Sequence, residues 1–253
     1  MQSDPTRPTN WFDQGGRAYA AFRPGYPPAL SRFLAEIAPD RRRAVDVGCG
    51  NGQLTRQLAD HFSSVVGVDP SVDQITRTVP HERIEYLCAP AEVLPLPDSS
   101  VSLITAAQAV HWFDLPAFYA EARRIAVDGA VIALVSYGVL HLAEADLQDR
   151  FSRFYWDEIA PYWPPERKLV DTGYADISLP FSEREGPVMA IDRTMVLDDF
   201  LGYVSTWSAV RRLKEAGRSD ILENFARDIS VIWGDPTIAH ALSWPINMRL
   251  GAI

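Results

Sequence analysis

Short apolar segments alternate with helical segments over the first 137 residues, and this alternation restricts the folds that the chain can adopt. Buried strands are predicted at 44–47, 65–68, 84–88, 101–106 and 129–136. Helices are predicted before and between them, at 28–38, 53–62, 71–78 and 114–126. Strands that are apolar on both faces and separated by helices are typical of a parallel sheet with helices on both sides. The sequence therefore predicts an α/β fold with a doubly wound, Rossmann-like sheet.

The residues after Tyr137 have a different composition. Residues 138–185 contain a polar amphipathic helix and an aromatic, proline-rich stretch, RFYWDEIAPYWPPE. Further elements are predicted as a strand at 187–195, helices near 198–215 and 219–232, and a last strand at 247–253. We expect 138–185, with part of 197–240, to form a helical, aromatic cap over the carboxyl edge of the sheet.

Charge and cysteine content argue against several classes of partner. The chain carries 24 basic and 33 acidic residues, a net charge of −9, and so lacks the basic surface expected of a duplex nucleic-acid binder. Its two cysteines, Cys49 and Cys88, do not have the spacing of a metal site. So few cysteines are typical of a reducing compartment, and no segment resembles a signal peptide or a membrane helix. We expect a cytoplasmic protein that binds no metal, nucleic acid or membrane; the sequence indicates no oligomeric state.

A glycine-rich segment, residues 46–53, follows the first predicted strand and opens a helix with the sequence DVGCGNGQ. Glycines at such a turn let the backbone approach a ligand closely, because no Cβ stands in the way. The dinucleotide fingerprint G-x-G-x-x-G would need a glycine at position 53, where this chain has Gln53. No Gly-Lys-Ser/Thr phosphate loop follows either. The spacing therefore disfavours a nicotinamide dinucleotide as the ligand.

Asp69 ends the second predicted strand, 17 residues beyond Gly52. At the edge of the sheet that faces a ligand crevice, its carboxylate can accept both hydroxyl protons of a ribose. The alternative is a helix cap, since Asp69 also precedes the next predicted helix. The strand-helix-strand interval after the glycine turn favours the ribose interpretation.

The G-x-G-x-G spacing after a strand that bears an acid resembles motif I of the class I S-adenosylmethionine-dependent methyltransferases. Residues 89–98 (APAEVLPLPD) resemble the small-molecule methyltransferases of that class. Residues 108–113 (QAVHWF) are most similar to trans-aconitate methyltransferases and their relatives, and the similarity extends to 19–27 and 203–209. The resemblance covers most of the chain and implies S-adenosylmethionine as the cofactor.

The resemblance, carried over position by position, implies a complete cofactor site. It implies a methionine-side loop of Asp46, Gly48, Gly50 and Gly52, ribose binding by Asp69, adenine contacts from Ala91 and Glu92, and Gln108 beside the sulfonium. Tyr19 and Arg23 would close over the cofactor, with Arg23 bound to its carboxylate or, alternatively, in a surface ion pair. It also implies a single domain over 1–253, with 1–28 covering the cofactor, and a sheet of about seven strands, mostly parallel, with an antiparallel last strand.

His111 is the candidate catalytic residue, because it follows the fourth predicted strand and should face the transferred methyl group. Histidine titrates near neutral pH and can accept a proton from a hydroxyl or an amine. A carboxylate acceptor needs no base, since methyl transfer depends mainly on holding nucleophile, carbon and sulfur in line. His111 is therefore open to three interpretations: a base, a positioning residue, or a packing partner of Trp112.

Aromatic and basic residues supply the candidates for substrate binding. Trp112, Tyr137 and Trp207 are predicted to line a substrate pocket, although aromatic residues also build cores. Candidate anchors for an acidic substrate are Arg249, on the predicted last strand, and Arg211 and Arg212. The alternative for these arginines is an exposed ion pair.

These features together predict an enzyme that methylates a small molecule. The leading hypothesis is carboxyl O-methylation of a small acid, and the alternative is N- or O-methylation of a secondary metabolite. A protein of another class, which binds the cofactor without turnover, is disfavoured because the glycine turn, Asp69 and Glu92 preserve a ligand-shaped crevice.

Overall fold

The structure is a computed structural model that describes residues 24–253. Its strands are β1 Arg43–Val47, β2 Ser64–Asp69, β3 Ile84–Cys88, β4 Val101–Ala107, β5 Ala126–Tyr137, β6 His141–Leu142, β7 Ser182–Arg184, β8 Met189–Met195 and β9 His240–Ala252. Its α-helices are α1 Pro28–Ile37, α2 Gln53–Ala59, α3 Val72–Ile75, α4 Leu115–Ile125, α5 Ala145–Arg153, α6 Arg167–Asp171, α7 Leu197–Ser205, α8 Ser208–Glu215 and α9 Ser219–Trp233. Between them lie 3-10 turns at Val110–Trp112 and Ala160–Tyr162, and a π-helical turn at Phe154–Glu158.

All nine described strands join one sheet, which has seven strand positions. Strands β3, β2, β1, β4 and β5 are parallel neighbours in that order, and β9 pairs antiparallel with β5. Ile246 of β9 pairs with both Tyr137 of β5 and Met189 of β8, so β8 lies on the edge of β9 opposite β5. β7 lies on that same far edge, and β6 continues along the edge occupied by β5. The predicted Rossmann-like sheet, mostly parallel with an antiparallel last strand, is confirmed.

The parallel strands are apolar on both faces because each face supports its own core. Ala44, Val65 and Leu103 belong to a buried cluster that includes the apolar residues of α1 and α2. Val45 and Ile104 point the other way, into a cluster that includes the buried residues of α4. Successive side chains of a strand alternate between its faces, so adjacent residues enter different cores.

The structure corrects some predicted boundaries. α3 is a single turn rather than a helix over 71–78, and the predicted helix at 198–215 divides into α7 and α8. β9 begins at His240, seven residues before its predicted start, and its first half contains Pro245. Proline cannot donate to a ladder and argues against a strand interior, but Pro245 lies where β9 extends past the end of β5.

This extension of β9 supports the cap. β5 ends opposite Ile246, so residues 240–245 project beyond the carboxyl edge of the parallel strands. Trp244 donates its indole N–H to Tyr203 of α7 at 3.0 Å. The helices above it enclose a buried aromatic cluster of Phe151, Phe154, Tyr155, Phe200, Tyr203, Trp207, Phe225 and Trp233. The extension of β9 and the aromatic cluster thus provide a packing surface for a cap formed by 138–185 and part of 197–240. That this cap binds the substrate is our proposal.

An ionic cluster crosses the cap. Arg150 of α5 is only 4% exposed and donates to Asp228 of α9 at 2.9 Å and to Glu158 at 3.2 Å. Its guanidinium also lies 5.0 Å from the ring of Phe225. A buried cation must be paired with anions to remain charged, so this cluster fixes α5 against α9. None of the helices within 24–253 has the length and apolar character needed to cross a membrane.

Candidate functional site

The glycine-rich loop joins β1 to α2 in a left-handed backbone conformation. Gly48, Gly50 and Gly52 have φ angles of 70°, 55° and 85°, which residues with a Cβ adopt at a cost of about 1–2 kcal/mol. The backbone N–H groups of Gly48 and Cys49 both donate to the carbonyl of Val68, at 2.7 and 3.0 Å. The loop is therefore fixed to the carboxyl end of β2.

The three glycines of the loop have different steric surroundings. A Cβ at Gly48 would collide with Ala109, and a Cβ at Gly52 would collide with the hydroxyl of Tyr86. Among residues 24–253, a Cβ at Gly50 would meet only the side-chain oxygen of Gln74, at 3.8 Å. Gly48 and Gly52 are thus needed for packing, whereas Gly50 faces open space where a ligand can approach the backbone.

Asp69 lies opposite this open face. Its Oδ2 accepts the backbone N–H of Gly50 at 2.9 Å, and its Oδ1 accepts that of Ser71 at 2.9 Å. Burial raises the pKa of the Asp69 carboxyl. Ser71, rather than Asp69, caps α3 by accepting from Gln74. Because each carboxylate oxygen has two acceptor positions, Asp69 can also accept two hydroxyl groups of a ligand.

Asp46 is buried beneath the loop. Its two oxygens accept the hydroxyls of Thr55 in α2 and Thr105 in β4, each at 2.7 Å. Loss of hydration on burial raises the pKa of Asp46 to about 6. These bonds join β1 to its neighbours, so we infer that Asp46 acts on a ligand by positioning the loop.

Three further predicted residues follow the carboxyl ends of parallel strands, where open α/β sheets bind ligands. Ala91, after β3, is buried, and the adjacent Glu92 accepts the backbone N–H of Asp114 at 2.9 Å. Gln108, after β4, has a φ of 55° and donates its side-chain amide to the carbonyl of Tyr137 at 3.0 Å. The predicted Tyr19 and Arg23 lie outside the described residues.

Similarity to known proteins identifies the family. Residues 45–134 match the family described as "Methyltransferase domain". A protein of Dictyostelium discoideum that is named as a methyltransferase is 36% identical over 99% of this chain and 98% of its own length. The chain belongs to the class I S-adenosylmethionine-dependent methyltransferases.

Solved structures agree with this assignment. A structure from Anaeromyxobacter dehalogenans, named as a type II methyltransferase, is 44% identical, has a TM-score of 0.86, and is matched over 92% of this chain and 98% of that one.

A sequence relative, a malonyl-[acyl-carrier protein] O-methyltransferase of Dechloromonas aromatica, is 36% identical over 47% of each chain. The resemblance to trans-aconitate methyltransferases in particular stays a prediction.

The residues of this methyltransferase fit the cofactor of its family. Gly50 presents backbone without a side chain, and Asp69 presents acceptors for the two hydroxyls of a ribose. Position 53, where the dinucleotide fingerprint has a glycine, is occupied by Gln53. We propose that the loop and Asp69 hold the ribose and methionine portions of S-adenosylmethionine, with Ala91 and Glu92 near the adenine and Gln108 near the sulfonium.

His111 belongs to a turn that packs against this loop through the preceding residue, Ala109. It is the middle residue of the 3-10 turn Val110–Trp112, which the contact of Gly48 with Ala109 holds against the loop. Its Nδ1 is hydrogen-bonded to the hydroxyl of Tyr174 at 3.0 Å. Burial, and secondarily the positive charge of Arg167, lower the pKa of His111 to about 3. The imidazole is therefore neutral at pH 7.

The predicted substrate residues occupy different environments. Trp112 is exposed, with its ring 5.0 Å from that of His111, and Tyr137 is buried against Tyr26. Trp207 lies within the aromatic cluster of the cap. Arg249 donates to the carbonyls of residues 174, 175 and 177 and pairs with Glu183 at 2.8 Å. These bonds favour a structural role for Arg249, as its ion-pair alternative predicts. Arg211, one of the two other predicted anchors, lies 4.0 Å from Glu215.

The sequence did not point to Tyr86, Arg167 or Tyr174. The ring of Tyr86 covers both Gly52 and Gly67, which explains why glycine is required at these positions. Tyr174 and His111 are 63 residues apart in the chain, so no local pattern relates them. Across residues 24–253, no group of three His, Cys, Asp or Glu side chains is arranged to hold a metal ion.

Replacement of Asp69 by alanine should weaken the binding of S-adenosylhomocysteine by about tenfold or more, because hydrogen bonds to a charged acceptor are lost. Calorimetric titration measures the effect. Ser71→Ala is the matched control: it removes the cap of α3, at a cost of about 1 kcal/mol of stability, and no proposed cofactor contact. Equal affinities of the two variants would reduce Asp69 to a support of the loop.

Proposed function

We propose that this methyltransferase transfers the methyl group of S-adenosylmethionine to the carboxylate of a small acid. The observation that carries the proposal is the neutral His111, in the turn next to the glycine loop, whose pKa is lowered by burial and secondarily by the charge of Arg167. A weakly basic imidazole is poorly suited to deprotonate a phenol or an ammonium group. A cation nearby favours an anionic substrate.

Two relatives named as malonyl-[acyl-carrier protein] O-methyltransferases support carboxyl methylation. The malonyl-[acyl-carrier protein] O-methyltransferase of Dechloromonas aromatica matches about half of this chain, and that of Geobacter sulfurreducens is 28% identical over 60% of it. Both names describe O-methylation of a malonyl group. Both matches cover only part of this chain, so they support carboxyl methylation without naming the acid.

The proposed reaction needs no proton transfer. When bound, S-adenosylmethionine supplies a methyl group on a positively charged sulfur. The carboxylate oxygen forms the new C–O bond as the C–S bond breaks, and the products are a methyl ester and S-adenosylhomocysteine. A carboxylic acid is already ionised at neutral pH, so the task left to the chain is orientation.

His111 suits this orienting task. Burial raises the pKa of the Tyr174 hydroxyl, which keeps it a phenol able to donate to Nδ1 of His111. With Nδ1 accepting, Nε2 carries the imidazole proton. We propose that this N–H donates to the substrate carboxylate and holds it in line with the methyl group.

Carboxyl methylation is tested by the alkali lability of the product. The enzyme is supplied with methyl-tritiated S-adenosylmethionine and a panel of small acids, phenols and amines, and the product is treated with base. A methyl ester releases labelled methanol, whereas a methyl ether or methylamine retains the label. Base-labile product from acids supports the proposal. Base-stable product alone would contradict it and indicate N- or O-methylation of another acceptor.

His111→Gln should retain most of kcat and mainly raise KM, because glutamine keeps a hydrogen-bond donor and no base is required. Tyr174→Phe, which removes the partner of Nδ1 but leaves the ring, should raise KM as well. A kcat loss beyond about 100-fold for His111→Gln, with cofactor affinity intact, would indicate general-base catalysis.

The pH profile gives a second test of His111. Its pKa of about 3 lies below the ordinary value of 6.5, so the ring stays neutral throughout the neutral range. The wild-type kcat should therefore show no inflection from His111 between about pH 5.5 and 8.5, because neither this histidine nor a substrate carboxylate titrates there. An inflection near pH 6 that persists in His111→Gln would belong to Asp46. An inflection near pH 6.5 that disappears in His111→Gln would contradict the assignment.

A further inference from the structure

Tyr174 holds a backbone conformation that is unusual for a residue with a side chain. Within 24–253, the non-glycine residues with a positive φ are Ser99, Gln108 and Tyr174, and the φ of Tyr174 is 64°. This left-handed conformation costs a residue with a Cβ about 1–2 kcal/mol. Such residues persist only where surrounding contacts enforce them, and they cluster at functional sites. Tyr174 is fully buried, and its hydroxyl is bonded to Nδ1 of His111 at 3.0 Å.

The end of α6 explains only part of this conformation. The N–H of Tyr174 donates to the carbonyl of Leu169 at 2.8 Å, and the N–H of Gly173 donates to the carbonyl of Val170 at 3.0 Å. This pair of bonds is the Schellman motif, which places a left-handed glycine just after a helix. Gly173, with a φ of 61°, takes that position. The motif does not require a second left-handed residue, so Tyr174 needs further support.

β9 supplies this support through two side chains on one of its faces, Asn247 and Arg249. A Cβ on Gly173 would lie 2.7 Å from Cγ of Asn247, so the turn at 173–177 packs directly on the strand. Nη1 of Arg249 donates to the carbonyls of residues 174, 175 and 177, at 2.9, 3.1 and 3.0 Å. Its Nε and Nη2 donate to Glu183 of β7, at 3.3 and 2.8 Å. One guanidinium thus joins this turn to both β7 and β9.

We propose that Arg249 is a positioning residue, which gathers these three carbonyls, holds Tyr174 in its left-handed conformation and so directs the phenol at His111. The inference rests on the proposed role of His111 in orienting the substrate. Charge suits Arg249 to this task, since hydrogen bonds from a cation are about twice as strong as neutral ones. Arg249, predicted from the sequence as a substrate anchor, thereby acts on the reaction without touching the substrate.

The effect on His111 passes through a single hydrogen bond. Tyr174 reaches Nδ1 over 3.0 Å, and a displaced phenol would leave that nitrogen without its donor. The imidazole can then rotate or move its proton between the two nitrogens, and Nε2 no longer presents a fixed N–H to the substrate. Loss of the Arg249 guanidinium should therefore affect His111 in the same way as loss of the Tyr174 hydroxyl.

NMR of His111 tests the inference without a substrate. In protein with 15N-labelled histidine, the Nδ1 signal of His111 is the one missing from His111→Gln. Arg249→Met keeps a long side chain and removes every donor, so this signal should move from its wild-type shift to the shift found in Tyr174→Phe. A wild-type shift in folded Arg249→Met would overturn the inference. Arg249→Gln is measured in the same way should Arg249→Met fold poorly.

Glu183→Gln is the matched control. It removes the charged partner of Nε and Nη2 but leaves the three carbonyl bonds of Nη1. The inference predicts a wild-type Nδ1 shift for His111 in this variant, even where the loss of the ion pair lowers the melting temperature. Equal displacement of the signal in Glu183→Gln and Arg249→Met would show that Arg249 only stabilises the last strand, which contradicts a positioning role.

A double-mutant cycle extends the test to turnover. Tyr174→Phe and Arg249→Met should each raise KM for the accepted acid by about 3- to 10-fold, the loss expected for one hydrogen bond, and leave the affinity for S-adenosylhomocysteine unchanged. If Arg249 acts through Tyr174, the double variant should have the KM of the single variants. Increases in KM that multiply in the double variant would mean that Arg249 acts independently of Tyr174, and the inference would be wrong.

Failure of this inference and failure of the proposed function give different results. An unchanged Nδ1 shift in Arg249→Met, together with base-labile labelled methanol, would overturn the positioning role alone. Base-stable product would overturn carboxyl methylation, whereas a displaced Nδ1 signal in Arg249→Met would still uphold the positioning of His111 by Tyr174 and Arg249.

Discussion

The hydrogen bond from the Gly50 N–H to Asp69 is the contact on which the proposed cofactor site depends. It joins the loop after β1 to the end of β2. Gly50 has a left-handed φ, which favours glycine, and its backbone therefore carries no side chain. On the other side, Gly48 packs against Ala109 and so brings the turn carrying His111 to the same place. β1 lies between β2 and β4, where the strand order changes direction and open sheets form their ligand crevice. One short loop therefore sets both the proposed cofactor surface and the position of the turn that carries the proposed orienting histidine.

The cap is built by a different principle from the sheet beneath it. Parallel strands bury both faces under helices, whereas the extension of β9 beyond β5 offers one apolar face, through Leu242, Trp244 and Ile246, to the aromatic cluster. Large rings supply much of the apolar area of this cluster, and the buried Arg150 fixes α5 and α9 around it. α6 leaves this framework at one side and carries Arg167 towards His111. The charge of Arg167 thereby adds to the effect of burial in lowering the pKa of His111.

Local patterns predicted the parallel half of the fold well. The glycine turn and the apolar strands can be recognised from neighbouring residues in the sequence. Asp69 can be recognised from the regular strand-helix-strand interval. The first half of β9 was missed because Pro245 disfavours a strand interior, and only its position beyond β5 makes it tolerable. The pairs of His111 with Tyr174 and of Arg249 with Glu183 were also beyond prediction, since they join segments more than 60 residues apart. Trp207 shows the same limit: sequence reveals an aromatic residue but not whether it faces a ligand or a core.

The central claim is that the loop and Asp69 form a site for S-adenosylmethionine and not for a dinucleotide. Calorimetric titration of the protein with S-adenosylhomocysteine and, separately, with NAD tests it most directly, because both ligands contain adenosine and differ in what the glycine loop must hold. We predict a dissociation constant in the micromolar range, on the order of −8 kcal/mol, for S-adenosylhomocysteine and no measurable binding of NAD. Binding of NAD without binding of S-adenosylhomocysteine would contradict the account.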